Sequence, residues 1–328
     1  MLLLIPVGMF FCFMAFRSYN SSLWVNHIVS TVGTSWMIIL LYMLMTFMAI
    51  DIVRLLIPAI RSWFINNIYT TISITAFLII TFVGGNLWYH HKVRVPLTIH
   101  IDKPLKPMKV VGISDLHLGY TIGKKELSKW VDMINREKPD VVLIAGDLID
   151  SNIVPVEQEK MHEELRRLNA PLGVYAILGN HDYYANNIKS ESFVRNAGIR
   201  LLKDEAMLVD SAFYVVGRDD RSNDMKRKSV VELTKDLDHT KPILLMDHQP
   251  YQLDSTEVAG VDFQLSGHTH RGQIFPINLI TDRVYEKSHG YLQKNNTHIY
   301  VSSGIGLWGG KFRIGTQSEY LVLEISGK

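Results

Sequence analysis

His268 and His270 stand two residues apart in the stretch Leu265-Ser266-Gly267-His268-Thr269-His270-Arg271-Gly272, just after a short apolar run from Val261 to Leu265. On an extended strand, residues i and i+2 point the same way. Both rings are therefore expected to aim at one point beyond the strand's carboxyl end. Neutral imidazole is the commonest protein ligand for transition metals. An HxH pair says little alone, but upstream stretches supply matching groups: Asp115-Leu116-His117, Gly146-Asp147, Asn180-His181-Asp182 and Asp247-His248. All offer nitrogen or oxygen and none a thiolate, a set that suits Mn, Fe, Zn or Co. One carboxylate in the middle of such a set can bridge two ions. Ions roughly 3.5–4 Å apart can hold a hydroxide between them and clamp a phosphate for in-line displacement. Taken singly, Asp115, Asp147 and Asp182 read better as helix caps or turn residues. It is their recurrence at successive strand ends that favours metal chemistry.

The elements that must position these groups are legible from periodicity. Lys109 to Ser114, Asp140 to Ala145, Gly173 to Leu178 and Pro242 to Met246 read as short buried strands, each ending at one of the polar stretches. Leu127, Trp130, Val131 and Ile134 fall on one face of a helix over Lys124 to Arg136. Helices are also expected near Glu157 to Leu168, around Phe193 to Ala197 and over Val230 to Leu237. An Asp210-Ser211 turn joins two further strands, and His298 to Ser302 and Tyr320 to Ile325 complete the set. Val93 to Ile101 alternates apolar and polar, and Pro96 marks it as an edge strand. Helices alternate with strands early and strands dominate late. This predicts an α/β fold class, a two-sheet β-sandwich core flanked by helices, with ligands at strand carboxyl ends.

Charge divides the chain. Of 34 Lys+Arg only Arg17, Arg54 and Arg61 precede residue 92, and of 32 Asp+Glu only Asp51 does. The remainder carries no net charge and so no electrostatic footprint for nucleic acid. Before residue 92, Met1 to Phe16, Ile28 to Ile50 and Ile68 to Tyr89 are free of charge. About 20 apolar residues span a bilayer, so the second and third runs read as transmembrane helices; the first is short. The expected organisation is a transmembrane region over 1–91 with two or three helices, a juxtamembrane strand and linker over 92–108, and a catalytic domain over 109–328. With three spans, Arg17, Lys92, Arg94 and Lys103 lie on the domain's side and Arg54 and Arg61 on the other. That bias favours a cytoplasmic domain on a multi-pass membrane protein. The single cysteine, Cys12, excludes an intrachain disulfide.

In this order, D-x-H, G-D, G-N-H-D, H and G-H-x-H resemble the motifs of the calcineurin-like metallophosphoesterases, over about residues 109 to 325. Ile113-Ser114-Asp115-Leu116-His117-Leu118-Gly119 and Gly146-Asp147-Leu148-Ile149-Asp150 look most like the membrane-linked branch, with its YkuE-like phosphohydrolases and some UDP-2,3-diacylglucosamine hydrolases. The resemblance implies that Asp115, His117 and His270 hold one divalent ion, that Asp147 bridges, and that Asn180, His248 and His268 hold a second. It implies that His181 sits beside the phosphate, stabilising its charge or protonating the leaving group, with Asp182 orienting His181. Gly304-Ile305-Gly306 through Phe312-Arg313 resembles a late loop of the branch, and Arg271 and Arg313 are candidate substrate contacts. Ser151, where protein phosphatases of this superfamily carry Arg, argues against a protein substrate, as does GNHD in place of their GNHE. Arg271 replaces the branch's usual Gly. The expected function is a membrane-anchored, manganese-type phosphoesterase or pyrophosphate hydrolase. Its phosphorylated substrate is expected to be lipid-linked, with UDP-2,3-diacylglucosamine of lipid A biosynthesis the sharpest case. The competing reading is a catalytically inactive membrane-tethered scaffold of the same fold. No protein partner is identifiable from the sequence.

Overall fold

The computed structural model describes residues 8, 22–65, 67–223 and 227–328. The expected first apolar span, Met1 to Phe16, lies outside the described residues except for Gly8, as do Cys12 and Arg17.

The chain forms two compact units, divided after His91, with Gly309–Ile314 returning to the first. In the first unit, helix α1 (Leu23–Leu56) and helix α2 (Ile68–His90) flank a 3₁₀ stretch, Pro58–Phe64. At 34 and 23 residues both are long and apolar enough to cross a membrane. Their large apolar side chains, among them Ile28, Leu44, Met48, Ile72, Ile80 and Leu87, are exposed. This inverts the pattern of a water-soluble helix, which hides such groups on one face. Gly309–Ile314 packs on this pair: Asn86 Nδ2 donates to Lys311 O at 2.9 Å, and the Phe82 and Phe312 rings meet edge to face at 5.1 Å.

The second unit is built on two six-stranded sheets. The first contains β1 (Lys92–His100), β2 (Met108–Ile113), β3 (Val141–Ala145), β4 (Val174–Ile177), β5 (Arg200–Leu201) and β12 (Ser318–Ser326), in the order β1-β12-β2-β3-β4-β5. From β2 to β5 the neighbours run parallel; β12 enters antiparallel to β2 and parallel to β1. The second sheet contains β6 (Glu205–Val209), β7 (Phe213–Gly217), β8 (Ile243–Met246), β9 (Phe263–Ser266), β10 (Gly290–Lys294) and β11 (Thr297–Val301), in the order β10-β11-β9-β8-β7-β6.

Side chains alternate across each strand, and the burial follows that period of two. Val110, Leu143, Ala145 and Ile177 face Val215, Leu244, Met246, Phe263 and Leu265 between the sheets. Their neighbours Val111, Val142 and Ile144 point outward onto Leu127, Trp130, Val131 and Ile134 of helix α3 (Lys124–Arg136). On the outer face of the second sheet, Val216, Ile243 and Leu245 take Val230 and Leu233 of the short helix α7 (Val230–Thr234). The expected sandwich with outer helices is what forms.

Four details depart from the sequence reading. Val93 to Ile101 is an edge strand, as Pro96 required, but it joins the sandwich rather than standing apart as a linker. Lys92 to His100 pair in register with Ser318 to Ser326. The expected helix over Glu157 to Leu168 is two pieces, α4 (Val154–Gln158) and α5 (Met161–Leu165), because Lys160 takes a left-handed conformation (φ 51°) that interrupts the helical ladder. The helix expected around Phe193 begins earlier: α6 spans Asn180–Asn196, kinked at Asn186 (φ 119°). The helix expected over Val230 to Leu237 closes at Thr234. The Asp210-Ser211 turn has both residues at positive φ (47° and 55°), and Ala212 N–H closes it on Val209 O at 2.9 Å.

Candidate metal centre

The site lies where β2, β3, β4, β8 and β9 end. Each apolar strand gives way to a loop whose first polar residues turn back over the sheet edge. Asp115, His117, Asp147, His268 and His270 all have positive φ (55°, 46°, 52°, 71° and 48°). For non-glycine residues this costs of order 1–3 kcal/mol each and persists only where surrounding structure enforces it. It also corrects the expectation for the HxH pair. Strand β9 stops at Ser266, so His268 and His270 are not i, i+2 neighbours on an extended strand. They converge because both backbones are left-handed and Thr269 lies between them at φ −73°.

The ligand atoms gather in three overlapping groups, Asp115/His117/His270, His117/Asp147/His181 and Asp147/His248/His268, each within 4.8 Å. Asp147 joins the outer two. Its Oδ2 is 3.1 Å from His248 Nε2 and 3.6 Å from His117 Nε2. His270 Nε2 stands 3.0 Å from His117 Nε2 and 3.6 Å from Asp115 Oδ1. Asn180 Oδ1 approaches His268 Nδ1 at 2.9 Å. All seven residues expected as ligands are thus in one place.

Whether the set fits divalent ions is answered by its hydrogen bonds and charges. His248 Nδ1 donates to Ala145 O at 2.7 Å, which fixes the ring and turns its buried Nε2 toward Asp147 Oδ2, 3.1 Å away. Burial pulls the His248 imidazole down, yet Asp147 holds it well above its ordinary value. Burial likewise pushes the Asp147 carboxyl up, and His248 and His117 overcome this to hold it low. His268, by contrast, is pushed down to about 4 by burial and the His248 charge, so it is neutral and ready to ligate. The carboxylates here draw protons onto buried imidazoles; cations at the same spot answer the same demand. Space is left for them because the cradle is glycine: a Cβ on Gly179 would lie 2.2 Å from Asp147 Oδ1 and 2.7 Å from His248 Nε2. Gly304, at φ 86°, passes so close that a Cβ would come within 2.8 Å of Asp115.

The residues around the ligands differ from expectation in one respect. Asp182 does not orient His181. It is fully buried and accepts from Gly179 N (2.8 Å), Ile149 N (2.9 Å) and Leu148 N (3.2 Å). It caps α6 and ties the Asp147 loop to the Asn180 loop; burial and the Asp147 charge push it up to about 7. The reason lies in the helix start: as the third residue of α6, Asp182 reaches back to its own cap rather than to its neighbour's ring. Asp150 takes the orienting role instead, with Oδ1 3.1 Å from His181 Nδ1 and 3.6 Å from His117 Nδ1. Burial raises the Asp150 carboxyl, but the hydrogen bonds to those two rings bring it down to about 2. His181 is further held by its own N–H, which donates to Asp147 Oδ1 at 2.8 Å.

Sequence reasoning missed the walls. The Trp308 ring centroid lies 6.5 Å from His181 and that of Tyr184 5.4 Å. On the other flank, Tyr285 meets the His268 ring edge-on at 6.2 Å, its hydroxyl accepts from Tyr251 at 3.1 Å, and the Arg221 guanidinium covers Tyr251 at 4.3 Å. None lies in a motif, so no local signal marked them. Arg271 is half-buried beside His270, its N–H donating to Thr269 Oγ1 at 3.1 Å. Arg313 belongs to the segment that packs with the apolar helices; it is buried, and its N–H donates to Gly85 O at 3.0 Å. Three histidines outside the pattern have polar partners: His289 pairs with Glu319 at 3.0 Å, His298 with the Tyr291 hydroxyl at 2.6 Å and His239 with Thr234 O at 2.9 Å.

Two stacked sheets with helices outside place an aspartate–histidine–asparagine cluster across the strand ends, a donor set for divalent metal ions. A family model described as calcineurin-like phosphoesterase matches residues 108–272, and the chain belongs to that family. It is 33% identical over 239 residues to an uncharacterized metallophosphoesterase of Helicobacter pylori, covering 70% of this chain and 63% of that one. To a transmembrane protein with metallophosphoesterase domain of Danio rerio it is 31% identical, covering 69% of this chain and 55% of the relative. It is also 32% identical to the uncharacterized metallophosphoesterase YkuE of Bacillus subtilis, over 61% of this chain and 72% of that one. The chain thus spans less than two thirds of the first two relatives. With the two apolar helices, the transmembrane relative points to membrane association.

Proposed function

We propose that this protein is a membrane-anchored hydrolase that cleaves a phosphoester or pyrophosphate bond with two divalent ions. Asp115, His117 and His270 would hold one ion, Asn180, His248 and His268 the other, and Asp147 would bridge. The observation that carries the reading is the position of Asp147 Oδ2, 3.1 Å from one group's His248 and 3.6 Å from the other's His117. Bound ions of this kind supply an activated water near neutral pH and polarise the phosphate.

The chain's own residues do the rest. His181 stands at the rim with Nδ1 toward Asp150, which leaves Nε2 to carry a proton to the leaving oxygen. Asp182 holds the two ligand loops in register through three backbone N–H groups. Tyr285 and Tyr251 on one side and Trp308 on the other exclude water and offer flat apolar walls. Arg271, beside His270, and Arg313 are the two candidate phosphate contacts.

The substrate we favour is lipid-linked, because an enzyme fixed to a bilayer meets amphiphiles at high local concentration. UDP-2,3-diacylglucosamine is the particular case to test. The domain is assigned to the cytoplasmic side of a multi-pass protein from the basic residues Lys92, Arg94 and Lys103. Full-length protein in detergent with Mn²⁺ should hydrolyse an aryl phosphodiester or monoester, and no turnover of any aryl ester would sink the hydrolase reading. Release of UMP from UDP-2,3-diacylglucosamine supports the lipid A assignment. Turnover of aryl esters without UMP release removes that substrate while leaving the enzyme. Labelling a cysteine placed in the domain of a Cys12→Ser protein in intact cells reads the side directly.

A further inference from the structure

Helix α8 (Ile277–Val284) has no buried residue. It begins seven residues after His270, and beside the charged Asp282 and Arg283 it shows several aliphatic side chains to solvent. Leu279 is 51% exposed, Ile280 60% and Val284 60%, and Phe275 just ahead of it is 47% exposed. Ile277, Ile280 and Val284 recur at the i, i+3, i+7 spacing of one helical face. Such a face in water is unfavourable and marks a contact surface.

Both ends of the helix are fastened to the metal loops. Before it, Ile274 is buried and Gln273 Nε2 donates to Trp308 O at 3.1 Å. After it, Tyr285 meets the ring of His268, and Ser288 O accepts from Thr269 Oγ1 at 2.5 Å. What the helix touches is therefore held at the mouth of the site.

Two observations identify the occupant. The same chain carries two helices of membrane-crossing length and apolarity. Lys92, which follows helix α2 after His91, starts β1 opposite Ser318, and β12 runs from there antiparallel to β2, with Leu321 opposite Gly112. The residue at which the chain leaves its last apolar helix thus lies at the edge of the sheet that bears Asp115 and His117. A third point concerns composition. Protein-docking centres favour Trp, Tyr and Arg, whereas the face of Ile277, Ile280 and Val284 is aliphatic, with Phe275 and Leu279 flanking it and Asp282 opposite, the amphipathic pattern of a helix lying in a lipid interface.

We propose that Ile277–Val284 lies in the headgroup–acyl boundary of the bilayer, with Ile280, Val284 and the flanking Phe275 and Leu279 inserted, so that the metal centre opens onto phosphoesters held in that surface. The purpose assigned to the contact rests on the hydrolase reading; the contact itself does not. Nitroxide labels placed one at a time at Ile280→Cys, Val284→Cys and Asn296→Cys, in full-length Cys12→Ser protein in nanodiscs of phosphatidylcholine and phosphatidylglycerol, test it. Labels at 280 and 284 should be relaxed by oxygen and shielded from a water-soluble nickel chelate, and the label at exposed Asn296 should show the reverse. Equal access of the nickel chelate to all three overturns the proposal, and so does spin–spin broadening at 280 or 284, which would place a second copy there. The catalytic arm uses Ile280→Ser/Val284→Ser. Its kcat/KM for a soluble aryl phosphodiester should match the parent, while KM for a phosphodiester lipid in mixed micelles should rise about tenfold. An unchanged KM would refute the role in presentation. Absence of aryl ester hydrolysis in the parent would instead count against the hydrolase and leave the label result standing.

Discussion

At the scale of single residues, the site is held by backbone that most side chains avoid. Asp115, His117, Asp147, His268 and His270 sit at positive φ, and aspartate and histidine are among the few residues that tolerate it. The sequence displayed the ligands, because each follows a strand short and apolar enough to recognise. It did not display the mechanism of convergence, since a left-handed turn after a strand has no side-chain signature. Nor did it separate Asp150 from Asp182. Both are acidic, near a ligand and able to cap, and only the fold shows which one reaches a ring. Two predictions belong here. Replacing Asp150 with Asn should weaken Mn²⁺-dependent turnover about 10–100-fold while the protein keeps its circular dichroism, since a carboxylate that orients a ligand's ring typically matters to that extent. Unchanged turnover would return Asp150 to the surface residues. His181→Asn should lose roughly 10²–10⁴-fold on an alkyl phosphoester, whose leaving oxygen needs a proton. On a nitrophenyl ester, whose leaving group needs none, it should lose much less. Equal losses on both would show that His181 does not act as the acid.

At the scale of elements, the period of two marked most strands, and its alternation proves to sort inner from outer layers: Val110 and Leu143 face the other sheet, Val111 and Ile144 the helices. What it left open was partnership. The pairing of β1 with β12 joins residues more than 200 positions apart, and no local pattern specifies such a distant neighbour. The edge strand is also fastened through helix α3: Arg94 Nε donates to Glu137 Oε1 at 3.0 Å, and the Tyr320 hydroxyl donates to the same oxygen at 3.0 Å. Burial pushes the Glu137 carboxyl up, but these two bonds outweigh it and hold it below its ordinary value. An unfolded glutamate titrates near about 4.3. The stabilisation is therefore fully present above that pH and disappears as the pH falls through the lower folded value. Glu137→Gln should lower the stability of the domain by about 0.5–1 kcal/mol at pH 7, a figure reduced for the partial exposure of Arg94. The gap between variant and parent in denaturant midpoint should narrow as the pH falls below about 4.3. A gap that stays constant with pH would show that the carboxylate charge contributes nothing. The inter-sheet layer is the larger store: Leu244→Ala, at a position with no exposure, should cost about 2–5 kcal/mol by the same measurement.

At the scale of the whole molecule, charge distribution alone separated an apolar part from an evenly charged domain at residue 91, and the compact units divide at the same place. The return of Gly309–Ile314 to the apolar unit was not legible. Its pairings rest on glycines at 309 and 310, where a Cβ would meet Thr34 and the backbone of Ser35, and on Arg313 donating to Gly85, all contacts between segments distant in sequence. Arg313, a candidate phosphate contact from its motif, lies buried in this segment. The hydrolase reading rests on the family together with the cluster at the strand ends, and the cluster turns on one carboxylate. The most direct measurement is therefore Mn²⁺-dependent hydrolysis of an aryl phosphodiester by full-length Asp147→Ala beside the parent, with bound metal counted in both by mass spectrometry. The account predicts two ions per parent chain, fewer in the variant, and hydrolysis at background in the variant; parental hydrolysis with a full complement of metal in Asp147→Ala would contradict it.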